Sequence, residues 1–108
     1  MTRERETREG ERIICYVDEE IEDLIPGFLE NRRNDVKRLE EALADGDYET
    51  IRTLGHMMKG AGGGYGFETI SDIGEFLEGA AKEENTEEIR RQIGELSHFL
   101  DHVEVVYE

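Results

Sequence analysis

The sequence predicts an all-α fold, an antiparallel up-down four-helix bundle with a short extended or disordered N-terminal segment. Apolar residues recur with a period near 3.6 from residue 18 onward. The chain holds a single proline and little strand-like alternation, and 38% of its residues are charged, as a solvated helical surface requires. Its 108 residues suffice for one modest core. We therefore predict a helical domain over residues 18–108, after a charged tail and apolar segment over residues 1–17.

The N-terminal part of the chain lacks helical periodicity. Residues 1–12 are almost wholly charged, which predicts a disordered or frayed tail. The apolar run IICYV at 13–17 is either an edge strand or an extended segment laid against the bundle. The first helical stripe begins at Asp18 and closes at Gly46, and Pro26 either marks the true start of the helix or kinks it.

Three further helices follow through short connections. We expect the second to begin after Asp47, a plausible N-cap, and to end in the glycine run between Gly62 and Gly66. The third stops near Glu84, and the fourth begins at Asn85, which opens a capping box. The residues expected to face inward are Ile70, Ile73, Phe76, Leu77 and Ala80 in the third helix, and Ile89, Ile93, Leu96, Leu100, Val103 and Tyr107 in the fourth.

Composition limits the classes of partner. The 28 acidic and 13 basic residues give a formal net charge of −15, which disfavours binding to nucleic acid or to an anionic membrane. No apolar run approaches the roughly 20 residues of a membrane span, and no signal peptide is evident, so we expect a cytoplasmic protein. Cys15 is the only cysteine, which excludes an intrachain disulfide. Nothing in the sequence demands a dimer, so we expect a monomer.

The most informative stretch is TLGHMMKGAGGGYGF at 53–67, where six glycines accompany one histidine and one lysine. On a helical wheel with Ile51 towards the core, His56 falls about 140° away, towards water, and Lys59 at about 80°. Gly60 and Gly63 leave bare backbone beside the ring. Because a glycine inside a helix costs roughly 1 kcal/mol relative to alanine, this pattern favours a surface that a bulky partner approaches closely.

Other glycines in the stretch have structural interpretations. Gly55 falls on the inward side of the wheel and permits tight helix packing. Gly62, Gly64 and Gly66 are interpreted as serving the helix end and its turn.

An exposed imidazole with a cation one turn away favours phosphoryl acceptance. Imidazole is a nucleophile near neutral pH and forms covalent intermediates, and the ammonium group of Lys59 can neutralise an anion attached to the ring. No second nucleophile or oxyanion site accompanies His56, so proton shuttling fits less well. A surface histidine beside a lysine without function is the alternative, and the neighbouring glycines weigh against it.

The segment HMMKGAGGGYGF resembles the H-x-x-K-G signature of histidine-containing phosphotransfer (HPt) domains. With its Gly66–Phe67 pair and the later stretch ISDIGEFLE, the chain is similar to the phosphotransfer domain of chemotaxis histidine kinases over roughly residues 18–105. The resemblance implies a phosphorelay intermediate in two-component signalling. His56 would accept a phosphoryl group on its outward ring nitrogen from a receiver aspartate of one response regulator and donate it to another, with a histidine kinase as a further partner.

The resemblance also implies roles for the surroundings of the histidine. Lys59 would support the charge of the phosphoryl group, and Gly60 and Gly63 would form the docking surface for a receiver domain. The receiver would contribute the metal ion and most of the catalytic groups, so we expect no cofactor in this protein. The family often has serines after the Lys-Gly pair, where this chain has Ala61 and Gly62. Kinase members carry separate dimerisation and ATP-binding domains, which this sequence lacks, so we expect a phosphocarrier without kinase activity.

Glu78 matches the position of a glutamate that holds the other ring nitrogen in chemotaxis-type members. Antiparallel helices with a rise of about 1.5 Å per residue bring Glu78 and His56 to a similar level, which agrees with this role. A carboxylate there would fix the tautomer of the ring and raise its nucleophilicity. The alternative is a solvated charge on the helix surface.

Two other groups of polar residues have less specific patterns. Arg32 interrupts the first apolar stripe together with Asp35, and it either assists a phosphate or receiver docking or forms a buried pair with Asp35. His98 and His102 have the i, i+4 spacing of metal ligands, but they point towards water without an apparent third ligand, so no metal site is predicted. The alternative function for the whole chain is a non-phosphorylated helical adaptor that binds a receiver or kinase domain.

Overall fold

A computed structural model describes residues 6–108 and is mostly helical, as the sequence predicts. Four α-helices make up most of the chain: α1 (Ile25–Ala44), α2 (Tyr48–Tyr65), α3 (Glu68–Lys82) and α4 (Thr86–His102). A 3-10 helix (Glu19–Leu24) precedes α1. Three strands form a small sheet: β1 (Glu6–Glu9), β2 (Arg12–Val17) and β3 (Val103–Tyr107). None of the helices in residues 6–108 is both long enough and apolar enough to cross a membrane.

Most helix boundaries lie at or near the residues that the sequence predicts, and the end of the fourth helix is the exception. The side chain of Asp47 accepts a hydrogen bond from the backbone N–H of Thr50 at 3.1 Å and caps α2. Asn85 caps α4 in the same way. Gly66 ends α2 in the left-handed conformation, with φ 88°, which a glycine adopts without strain. Pro26 lies in the first turn of α1, so it starts this helix and does not kink it.

The small sheet departs from the predicted all-α fold and corrects three predictions about the ends of the chain. Strand β2 lies between β1, to which it is antiparallel, and β3, to which it is parallel, so IICYV is a central strand and not an edge strand. Residues 6–12 are ordered in strands and their turn, not disordered; the first five residues, which the same prediction covered, lie outside the described part. Val103 and Tyr107 belong to β3 and not to the fourth helix, because the β-branched residues of VEVVY pair with β2.

The core lies between the helices and one face of the sheet. Ile13, Cys15 and Val17 of β2 are buried in the same apolar cluster as the helical residues. Phe76 is a further correction, because it is 55% exposed and not inward. At about 100° per residue, Phe76 falls about 100° from the centre of the buried side of α3 and so lies at its margin.

Candidate functional site

Helices α2 and α3 approach each other so closely that glycine is required at their contact. A Cβ atom added to Gly55 would lie 2.7 Å from the carbonyl oxygen of Gly74, and one added to Gly74 would lie 2.5 Å from the backbone nitrogen of Lys59. Gly62 is buried within α2, and a Cβ atom added to it would lie 2.6 Å from the backbone nitrogen of Ser71. This glycine therefore packs against α3, in addition to its predicted role at the helix end. These contacts pair later residues of α2 with earlier ones of α3, so the two helices are antiparallel.

The close approach places Glu78 of α3 beside His56 of α2. Nδ1 of His56 lies 3.1 Å from Oε2 of Glu78. The His56 side chain is 73% exposed, whereas that of Glu78 is only 17% exposed. In the neutral ring, this contact assigns the proton to Nδ1, which donates to the carboxylate and leaves the lone pair on Nε2. The geometry therefore leaves Nε2 free as a nucleophile, while the contact with Glu78 orients the imidazole ring.

The ring borders a shallow depression with a volume of about 260 Å³ between the two helices. Its lining residues are Arg52, Thr53, His56, Met57 and Glu78. Arg52 and Met57 were not singled out from the sequence. The helical wheel that directs His56 outward also places Arg52 at about 100°, within about 40° of the histidine. The sequence therefore contains a signal that Arg52 and His56 share one face of α2.

Lys59 and the two exposed glycines lie on the C-terminal side of His56 in α2. Nζ of Lys59 is 3.7 Å from Oε1 of Glu75, and both side chains are exposed, so this ion pair is weak and can exchange partners. A Cβ atom at Gly60 would meet no atom within 4 Å, and one at Gly63 would meet only the Ser71 hydroxyl, at 3.9 Å. The α2 surface beyond the ring is therefore open to a large partner.

The side chain of Arg32 contacts Asp35 and Phe28 and is not part of the His56 depression. Its Nε atom lies 2.9 Å from Oδ2 of Asp35, its guanidinium group stacks over the ring of Phe28, and its side chain is 15% exposed. Arg32 and Asp35 therefore form a nearly buried ion pair. Burial raises the pKa of the Asp35 carboxyl, and the charges of Arg32 and Arg38 oppose that rise. Arg32 borders a different depression, shared with Tyr65, and does not line that of His56. A role for Arg32 at the phosphoryl group stays a prediction.

His98 and His102 stack on each other with ring centroids 4.2 Å apart. Nδ1 of His102 lies 2.8 Å from the carbonyl oxygen of His98, so this nitrogen is engaged by the backbone of its own helix. Within the described range, no three His, Cys, Asp or Glu side chains are placed to hold a metal ion.

Comparison with known proteins assigns the family. The family model for the Hpt domain matches residues 23–105, a segment that runs from before α1 into β3 and contains both His56 and Glu78. No curated protein and no solved structure matches the chain. The family match covers most of the sequence and agrees with the four helices of the structure. The chain belongs to the Hpt family of histidine phosphotransfer domains.

Proposed function

We propose that His56 is the phosphoacceptor of this Hpt domain and that it receives and donates phosphoryl groups through Nε2. Hpt domains act in the phosphorelays of two-component signalling. The observation that carries the assignment to His56 is its contact with Glu78, at 3.1 Å, on an otherwise exposed ring. His98 and His102 lack this arrangement, because they stack on each other and neither has a contact with a carboxylate among the hydrogen bonds of the described residues.

The transfer step follows from the protonation state of the ring. The lone pair of Nε2 attacks the phosphorus of a receiver aspartyl phosphate, an N–P bond forms, and the P–O bond to the aspartate breaks. The aspartate leaves as a carboxylate, and the ring, which keeps its Nδ1 proton, becomes cationic. The Glu78 carboxylate stabilises that positive charge and holds the ring in place. The reverse sequence passes the phosphoryl group to a second receiver.

A receiver domain would dock on the exposed surface of α2 and α3 around the histidine. Gly60 and Gly63 let its backbone come close to α2, and Met57, which is 62% exposed and lines the same depression as His56, offers apolar area for burial. All of these groups come from one chain, so a monomer suffices for transfer.

A transfer assay tests this proposal. The protein is mixed with receiver domains that carry radiolabelled aspartyl phosphate, and the label on each protein is followed with time. We expect label on the wild type and on His98→Gln, which is the matched control, and no label on His56→Gln. Label that persists in His56→Gln would overturn the assignment. Receiver binding without any transfer by the wild type would instead indicate a non-phosphorylated adaptor.

A further inference from the structure

Arg52 occupies a position in α2 that faces the same depression as His56. The two residues are four apart in one helix, so their Cβ atoms lie about 5–6 Å from each other on the helix surface. Arg52 lines the depression together with His56 and Glu78. It precedes the histidine by one turn, whereas Lys59 follows it.

The guanidinium group of Arg52 forms an ion pair with the exposed carboxylate of Glu49. Its Nη2 atom lies 2.6 Å from Oε1 of Glu49, one turn earlier in α2. The hydrogen bond and the charge of Glu49 raise the pKa of Arg52, and the charge of Glu78 adds to that effect. The Glu49 and Arg52 side chains are both more than one third exposed, so this pair is weak and the guanidinium group can change partners.

The surroundings of His56 are acidic before any phosphoryl group arrives. Glu49, Glu75 and Glu78 all pair with a group on α2 near the ring. A phosphoryl group on Nε2 would add about two negative charges, which requires cations close by. A guanidinium fork binds phosphoryl oxygens through two parallel N–H bonds and therefore matches such a group better than a lysine does.

We propose that Arg52 is a phosphoryl-binding residue, which leaves Glu49 and binds the phosphoryl oxygens when His56 is phosphorylated. With Lys59 on the other side, the phosphoryl group lies between two cations. This inference rests on the proposed function of His56 and adds to it a residue that holds the phosphorylated state.

Phosphorus NMR of the phosphorylated protein tests the contact without a receiver. Phosphoramidate, a small phosphoryl donor, phosphorylates the histidine, and the phosphorus resonance is followed as pH changes. A nearby guanidinium group favours the dianion, so Arg52→Gln should raise the pKa of the second phosphoryl ionisation, and Arg52→Lys should give a smaller rise. Arg91→Gln is the matched control, because Arg91 pairs with Glu88 at the same i, i+3 spacing on α4 and should leave this pKa unchanged.

The equilibrium with a receiver gives a second readout. Arg52→Gln should lower the ratio of phosphohistidine to aspartyl phosphate by about fivefold, equivalent to about 1 kcal/mol, and Arg91→Gln should not. Equal pKa values and equal ratios for Arg52→Gln and wild type would overturn the role of Arg52 while phosphorylation of His56 still occurs. A wild type that takes no phosphoryl group on His56 would overturn the proposed function, and this inference with it.

Discussion

Oε2 of Glu78 lies 3.1 Å from Nδ1 of His56, and in the proposed function this contact leaves Nε2 as the reacting nitrogen. It exists because α2 and α3 touch through backbone atoms. A Cβ atom at Gly55, the residue before the histidine, would lie 2.8 Å from the backbone nitrogen of Glu78 itself. The glycines in the core of the helix pair and the contact of the exposed imidazole with Glu78 are therefore parts of one arrangement.

Removal of the Glu78 charge should slow phosphoryl transfer without preventing it. Glu78→Gln keeps the size of the side chain but loses the negative charge that stabilises the cationic ring, so we expect the rate of transfer from a receiver to fall about tenfold. Single-turnover transfer rates measure the effect. Glu75→Gln, which alters only the exposed partner of Lys59, is the control, and an equal fall in both variants would contradict a specific role for Glu78.

Substitution at the helix contact should destabilise the fold. Gly74→Ala places a methyl group 2.5 Å from the backbone of Lys59, so the helices must separate, and we expect a loss of about 1–3 kcal/mol in the free energy of unfolding. Gly79 lies in the same helix, and a Cβ atom added to it would meet no atom within 4 Å. Gly79→Ala should therefore stabilise the protein by about 0.5–1 kcal/mol. Urea unfolding followed by circular dichroism gives both values; equal stability of the two variants would contradict the close contact.

A large side chain on the open surface of α2 should block the receiver and leave the histidine reactive. Gly60→Phe has space in the isolated domain, so its free energy of unfolding should not fall, yet it should slow transfer from a receiver about tenfold or more. Its phosphorylation by phosphoramidate should match that of wild type, because this donor is small. Gly94→Phe on α4, also a glycine in open space, is the control. Transfer from the receiver at the wild-type rate in Gly60→Phe would exclude the proposed docking surface.

The burial of Cys15, the single cysteine, predicts that its thiol reacts slowly in the native protein. Cys15 is fully buried in the central strand, and burial, with Glu6 nearby, raises the pKa of its thiol to about 12. The thiolate is the reactive form, so iodoacetamide at pH near 8 should leave the native protein unmodified and should alkylate it in urea. Mass spectrometry measures the modification. Rapid alkylation of the native protein would mean that β2 is not packed on the core.

The cap of α2 should make stability depend on pH. Hydrogen bonds from Thr50 lower the pKa of Asp47 below its usual 3.8. A lowered pKa in the folded state means that the carboxylate contributes stability above the unfolded pKa and that this contribution is lost as pH falls through the folded value. The stability difference between wild type and Asp47→Ala should therefore be full at neutral pH and shrink below about pH 4. Urea midpoints at several pH values measure it, and a constant difference would contradict the cap.

Local signals predicted the capped ends of the helices, because these boundaries depend on nearby residues. Asp47 and Asn85 cap the helices that follow them, and Gly66 ends α2 in the left-handed backbone conformation. The exposure of His56 also follows from a single helix, since the angle between residues five apart is fixed by helical geometry.

The features that the sequence did not predict depend on contacts between distant parts of the chain. In β3, Val103 and Tyr107 continue the spacing of the fourth helix, and only the parallel pairing with β2, about 90 residues earlier, makes them a strand. Phe76 lies about 100° from the centre of the buried side of α3, and its exposure therefore depends on whether another part of the chain covers that margin. The pairing of Arg32 with Asp35 is different, because it is local, at i, i+3, and is one of the alternatives that the sequence leaves open.

The position of the phosphoryl group on the ring of His56 decides whether transfer occurs through Nε2. The protein is labelled with nitrogen-15 histidine and phosphorylated by a receiver, and NMR measures the coupling between phosphorus and each ring nitrogen. We predict coupling to Nε2 of His56, with a proton retained on Nδ1 beside Glu78. Coupling to Nδ1, or a phosphoryl group on His98 or His102 with His56 unmodified, would contradict the central claim.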